Sequence, residues 1–408
     1  MTITIINNKF KNYSEFLAIS SFLCCIFFMP LGTAPTFLFM ALTICFWIFS
    51  GEYTEKINTL VSNKFAQSVF IFVLIFFLGV IYSNADYEEI IYQISKYTKL
   101  FFILVGLSLI KDRKWQKLGI NIFCVAMLIT LLLSLTSVIF PLNFIKGISG
   151  GASNNHFVFK DHIAQNLLMS YFVLVMLVKS QETPSIVNKY ISIGIAFLAI
   201  IDIVFFVQGR TGYISLAANI LLFLVYFSPS KKIGLNIAIT IFASFLLFSF
   251  SKNFTSRIEL AATEFQNKDS KQLTSVGQRV EFFTKSLELI KEKPILGWGT
   301  GSYAQQFCRV AISDEWCQAG KFHPHNQFMA IGVQLGLLGV GIFIYFLWSA
   351  IEIARKLDLS QKVLALGLIA TLIVDSFLHA PLFLVSEAQF FIIMLGLLLP
   401  NHFSEKSI

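Results

Sequence analysis

Charge is what this 408-residue chain has least of: Asp, Glu, Lys and Arg together make up 13% of it, about half of the roughly 25% in ordinary globular domains. That scarcity excludes a conventional soluble fold. The chain also has no cytosolic zinc spacing of cysteines and histidines and no D-x-D carboxylate triplet. It has no internal repeat and no low-complexity tract. Its formal net charge is +8, but the basic residues fall mostly in short segments between apolar runs rather than along one face. A nucleic-acid footprint is therefore excluded.

What is abundant is apolar surface, with 56% hydrophobic and 15% aromatic residues and a mean hydropathy of +0.73. Runs of about 17 to 25 apolar residues recur along nearly the whole length, each able to cross roughly 30 Å of hydrocarbon as a helix that satisfies its own backbone. The expected fold is an all-α polytopic membrane protein of about twelve transmembrane helices. They lie near 15–32, 34–50, 67–83, 98–110, 118–141, 163–178, 190–207, 212–228, 233–250, 326–350, 362–378 and 380–399. The first run leads directly into the second, so it is expected as an uncleaved span rather than a signal peptide.

With the N-terminus inside, the segments assigned to the cytoplasm hold sixteen Lys and Arg residues, whereas the short external loops hold five, at Lys96, Lys99, Lys146, Lys160 and Arg210. Both termini then face the cytoplasm, and one long hydrophilic loop faces outward. The expected division is a bundle of nine spans over 1–250, an external loop over 251–324, and three further spans with a cytoplasmic C-terminus over 325–408. Cys308 and Cys317, nine residues apart in that loop, are positioned for a disulfide if it faces an oxidising periplasm. Cys24, Cys25, Cys45 and Cys124 fall in apolar runs and read as small core residues.

Within the loop, Ser275-Val276-Gly277-Gln278 has the form of a capping box. Val280, Phe283, Leu287 and Ile290 follow at helical spacing until Pro294. An amphipathic helix on the bundle or membrane surface is expected. Gly297-Trp298-Gly299-Thr300-Gly301 reads as a turn, because it has no Walker lysine and no strand before it.

The segment Lys321-Phe322-His323-Pro324-His325-Asn326 places two imidazoles and an amide where the loop returns to the membrane. A neutral imidazole accepts a proton near neutral pH, so His325 is the candidate general base, with His323, Asn326 and Lys321 lining the substrate. Arg210, between Gly209 and Gly212 at the outer end of a span, is costly at that depth unless paired. Its partner is either an anionic phosphate or Asp202. Arg279, near the start of the loop helix, adds a guanidinium close to a helix N-terminus, which suits phosphate too. Arg257 and Arg309 are weaker candidates. Gly336 and Gly339 read as small residues that admit a neighbouring helix. Asp86-Tyr87-Glu88-Glu89 reads as a solvated acidic turn rather than a metal site, and Asp375 is expected to pair with His379 one helical turn on. Asp202 and Glu387 complete the intramembrane acids.

The spacing H-N-x9-G-x-x-G, carried by His325, Asn326, Gly336 and Gly339, resembles the signature of the O-antigen ligase family. The resemblance extends to the general layout over essentially the whole chain. It implies a bacterial inner-membrane enzyme of C-type glycosyltransferase-like architecture with its active site facing the periplasm. Such an enzyme moves a glycan from undecaprenyl pyrophosphate to the lipid A-core of lipopolysaccharide, inverting the anomeric centre without metal or cofactor. It also implies that Arg210 and Arg279 hold the pyrophosphate, and that the partners are these two substrates and membrane lipids rather than nucleic acid. Two rivals share the lipid carrier, an O-antigen polymerase and a protein O-oligosaccharyltransferase. A flippase or transporter would instead predict repeat symmetry and midplane charges.

Overall fold

The computed structural model describes residues 2–140, 155–207, 209–228 and 275–400, with 234 and 237. The expected ninth span at 233–250, the first part of the loop with Arg257, and Lys146, Lys231, Lys232 and Lys406 lie outside the described residues. The described chain is helical throughout. Its elements are α1 (Thr2–Phe28), α2 (Thr33–Phe49), α3 (Tyr53–Ser62), α4 (Lys64–Val80), α5 (Tyr87–Thr98), α6 (Phe101–Leu109), α7 (Arg113–Ile139), α8 (His162–Glu182) and α9 (Ile186–Ile201). A π-helical turn (Asp202–Phe206) separates α9 from α10 (Arg210–Phe227). The second half holds α11 (Ser275–Glu292), α12 (Tyr303–Val310), α13 (Asp314–Gly320), α14 (Gln327–Arg355), α15 (Leu359–Leu378) and α16 (Val385–Leu398).

Seven stretches among the described residues are long and apolar enough to cross a bilayer: Tyr87–Leu109, Arg113–Ile139, His162–Glu182, Ile186–Phe206, Arg210–Phe227, Gln327–Arg355 and Leu359–Leu378. A further pair, α2 and α3, meets at a bend of 114°, and α4 and α16 are shorter apolar helices. The protein is a polytopic, all-helical membrane protein. The fourth span starts earlier than its apolar run predicts. Asp86 stands at the N-cap of α5, and Glu88 and Glu89 occupy its first turn, where negative charge complements the helix dipole. The acidic stretch is thus a helix start rather than a turn.

Burial follows sequence character. In α16 every residue from Glu387 to Leu398 is buried, as expected of a helix apolar on all sides. Phe70, Phe77, Phe197 and Trp348 are exposed, an arrangement suited to hydrocarbon rather than water. Where α6 crosses α16, a Cβ on Gly106 would stand 2.8 Å from the Cα of Gly396. Close packing through small residues therefore occurs here.

The two ends of the bundle differ in polarity. At one end Lys111 reaches Glu15 (3.4 Å), Glu52 (3.7 Å) and Glu55 (3.1 Å), Lys64 meets Glu352 at 3.2 Å, and Arg113 pairs with Asp358. These are the segments whose basic residues set the topology. The opposite end carries residues 83–90, 160–162, 294–326 and 377–383.

Gly336 and Gly339 do not act as a helix-packing pair. Gly336 interrupts α14 with φ 61° and ψ −163°, a left-handed conformation open to glycine and strained for other residues. The break leaves carbonyls of the first half and amides of the second without intrahelical partners. The segment after α11 supplies them: Trp298 N and Gly299 N donate to Val333 O (2.9 Å) and Gln334 O (2.8 Å), while Leu337 N and Leu338 N donate to Pro294 O (2.7 Å) and Ile295 O (3.2 Å). A Cβ at Gly336 would lie 2.3 Å from Ile295 O.

Candidate functional site

The site is built where α14 begins, and α11 brings the first arginine to it. The loop core contains Phe282, Leu289, Ile290, Tyr303, Phe307, Trp316 and Val333, and Cys308 is disulfide-bonded to Cys317 with Cα atoms 4.6 Å apart. The inward stripe of α11 therefore runs through Phe282, Ser286 and Leu289, each 0% exposed, while Val280, Phe283 and Leu287 face outward at 55%, 43% and 36%. Of the four residues of the expected apolar stripe, Ile290 alone is buried within the protein. The helix has two apolar stripes, and the aromatic core of Phe307 and Trp316 selects the one holding Phe282. Arg279 lies one turn before Phe282 on that stripe.

Phe282 stacks on His325, with ring centroids 6.0 Å apart and planes inclined by 11°. The other imidazoles crowd the same place, since His325 stands 4.3 Å from His323 and 5.1 Å from His379, centroid to centroid. His325 has φ 51°, a strained value for a residue with a Cβ, and its amide donates to His323 Nδ1 at 3.2 Å. One histidine thus holds the backbone of the other. Nδ1 of His325 and both ring nitrogens of His379 are buried without a hydrogen-bond partner.

Burial holds the imidazole of His325 down to about 4, with the positive charge of Arg279 acting in the same sense. His323 is lowered to about 3 by burial, by His325 and by Lys96, and His379 is lowered by burial and then by His325 and Arg279. Arg279 is itself lowered, first by burial and then by the charge of Arg210. Arg210 is the first residue of α10, where Gly209 and Gly212 pack against Asn166 of α8 and Asn166 Nδ2 donates to Val207 O at 2.8 Å. Asp202 accepts a hydrogen bond from Ser134 Oγ at 2.6 Å. The structure thus brings Arg210, Arg279, His323 and His325 into one neighbourhood.

Asn326 and Lys321 stand differently. Asn326 caps α14, its Oδ1 accepting from Met329 N (3.0 Å) and its Nδ2 donating to Phe377 O (3.1 Å). Its side chain is therefore spent on structure. Lys321 lies on the wall of an adjoining cavity with Phe322. The neighbouring Gln327 is just as engaged, with Nε2 to Tyr97 Oη at 2.7 Å and Oε1 accepting from Leu382 N at 3.0 Å.

Asp375 and His379 are linked through the backbone, His379 N to Asp375 O at 2.6 Å, while both carboxylate oxygens and both ring nitrogens lack hydrogen bonds. The expected side-chain pair is not formed. Three contributors were not singled out from sequence. Lys96 Nζ stands 4.6 Å above Tyr92 and 5.0 Å above Phe383, and Phe383 lies 5.7 Å from His323. Lys160 is 7% exposed with Nζ unpartnered, lowered to about 8 by burial against the pull of Glu387 and Asp161. His162 begins α8 and contributes to lowering His379. Counting external lysines for topology passes over the burial of Lys160. Among the described residues, no group of three His, Cys, Asp or Glu side chains is arranged to hold a metal ion.

At one end of this bundle of apolar helices, His323, His325 and His379 gather beside Arg279. Residues 195–344, which run from α9 into α14 and include Arg210, Arg279 and His325, match the family model described as O-Antigen ligase. Over these residues the chain is similar to the O-antigen ligase family, a likeness that supports glycan transfer of the general ligase and polymerase type. No curated protein matches the chain.

Proposed function

We propose that the protein is an O-antigen ligase of the bacterial inner membrane, transferring a glycan from undecaprenyl pyrophosphate to lipid A-core on the periplasmic side. The observation that carries this reading is the half-buried imidazole of His325, its Nδ1 buried without a hydrogen-bond partner, stacked on Phe282, which lies one helical turn from Arg279. An imidazole held far below its ordinary range is neutral at physiological pH and free to accept a proton. The guanidinium of Arg279 acts on this ring and itself feels the charge of Arg210, a charge pattern suited to a phosphate group.

In the reaction, the acceptor hydroxyl gives its proton to a ring nitrogen of His325 as its oxygen bonds to the anomeric carbon. The bond from that carbon to the pyrophosphate oxygen breaks, and the electron pair leaves on the pyrophosphate, where Arg210 and Arg279 offset the added charge. One displacement inverts the centre. His323 positions His325 through its amide, and no nucleotide is needed because the carrier's anhydride is the leaving group.

The test is transfer by purified protein in detergent, given undecaprenyl-pyrophosphate glycan and lipid A-core, with product resolved on a gel. His325→Ala is expected to lose about 10²- to 10⁴-fold in rate, and Arg210→Ala and Arg279→Ala to lose donor affinity. Undiminished product from His325→Ala would remove the base. Polymerised glycan without ligated lipid A-core would assign the polymerase instead.

A further inference from the structure

Beside the histidine cluster lies a cavity of about 450 Å³. Glu88, Glu89, Tyr92 and Gln93 of α5 form one wall, and Lys321 and Phe322 belong to the opposite one. Its floor is rigid: Gly301 N donates to Gln334 Oε1 at 2.8 Å, Ser83 Oγ donates to Thr300 O at 2.7 Å, and Thr300 N donates to Gly79 O at 3.0 Å. The cavity adjoins the cluster through three rings in sequence, since Tyr92 lies 5.8 Å from Phe383, Phe383 lies 5.7 Å from His323, and His323 lies 4.3 Å from His325.

The lining joins two carboxylates, an amide and aromatic rings with one cation, Lys321, so that negative charge predominates and opposes that of a phosphate. Around His325 the charge of Arg279 is of the opposite sign. Resting on the ligase reading above, we propose that this cavity is the acceptor subsite and takes a sugar residue without phosphate, its hydroxyls held by Glu88, Glu89 and Gln93 and its C–H face against Tyr92 or Phe322. Aromatic faces pack on apolar sugar faces, and carboxylates are strong acceptors for hydroxyls. Charge of opposite sign at the two places then sorts the substrates, because a phosphorylated group in the wrong one meets repulsion rather than a partner.

Two measurements test this. In the transfer assay, Glu89→Gln and Tyr92→Ala are expected to raise the acceptor KM by about tenfold, the loss of one charge-assisted hydrogen bond or aromatic contact, with the donor KM unchanged. Of two lipid A-core acceptors differing by one phosphate on the terminal sugar, the unphosphorylated one is expected to be preferred by a similar factor, and the preference to shrink in Glu88→Gln/Glu89→Gln. Saturation-transfer NMR with free, delipidated core oligosaccharide reads the cavity without any turnover, and Tyr92→Ala is expected to abolish the signal. Equal use of both acceptors by the wild type, or an NMR signal unaltered in Tyr92→Ala, overturns the subsite. Should transfer persist in His325→Ala while the NMR signal depends on Tyr92, the mechanism fails and the subsite stands.

Discussion

His325 carries two properties that depend on each other. Its ring is neutral because it is buried and because Arg279 stands near, so anything that cancels the arginine's charge makes the ring a better base. The pyrophosphate of the proposed donor would do so. In the free enzyme the acidic limb of activity, where the neutral base is lost as pH falls, is expected near pH 4. With donor saturating, the limb of kcat should move upward, and Arg279→Gln should shift the free-enzyme limb the same way. Rate profiles at low and saturating donor check this; coincident limbs would show that the guanidinium does not act on the imidazole. Asn326 offers the contrast. Its amide caps α14, so Asn326→Ala is expected to cost roughly 1 kcal/mol of stability and to leave the acceptor KM alone, as thermal unfolding in detergent and the transfer assay will show. The importance of this stretch was legible from spacing, but the division of labour within it was not. Which of His323, His325 and Asn326 has a free side chain depends on Phe377 O and on the φ of His325, neither of which neighbouring residues dictate.

At the level of elements, the places where sequence and structure part are places of long-range choice. The loop helix was legible from its period and from Pro294. Its inner face was not, because Val280, Phe283 and Leu287 make as good a stripe as Phe282, Ser286 and Leu289 until Phe307 and Trp316 select one. The break at Gly336 was hidden for the same reason: amides and carbonyls some forty residues earlier in the chain make an interrupted span tolerable. Gly336→Ala is expected to destabilise the protein by at least about 1–2 kcal/mol, the cost of a left-handed residue with a Cβ, besides the clash with Ile295 O. Gly341→Ala, five positions on and with nothing within 4 Å of a new Cβ, should be neutral or slightly stabilising. Parallel melting curves of the two variants decide the matter, and equal midpoints would mean that the break relaxes freely.

For the molecule as a whole, membrane character was plain from the scarcity of charge, whereas the buried cation Lys160 was not, since it looks like any external loop residue. Gathering three histidines in an apolar, cationic site has a consequence for folding. His323 and His325 are held to about 3 and about 4, against the ordinary 6.5, so the unfolded chain binds protons that the folded one refuses. Stability from these groups is full above pH 6.5 and is lost progressively as pH falls toward about 3. The unfolding midpoint in detergent is expected to drop between pH 7.5 and pH 5, and less steeply in His323→Gln/His325→Gln; identical slopes would place the acid sensitivity elsewhere. The segment Pro294–Gly299, hydrogen-bonded into the gap of α14, also bears on engineering. A chimera that grafts a foreign loop segment onto this scaffold would have to retain those residues with their own membrane half. Its splice point should fall at Ser302 or later, where cargo can be exchanged without unseating the transmembrane frame.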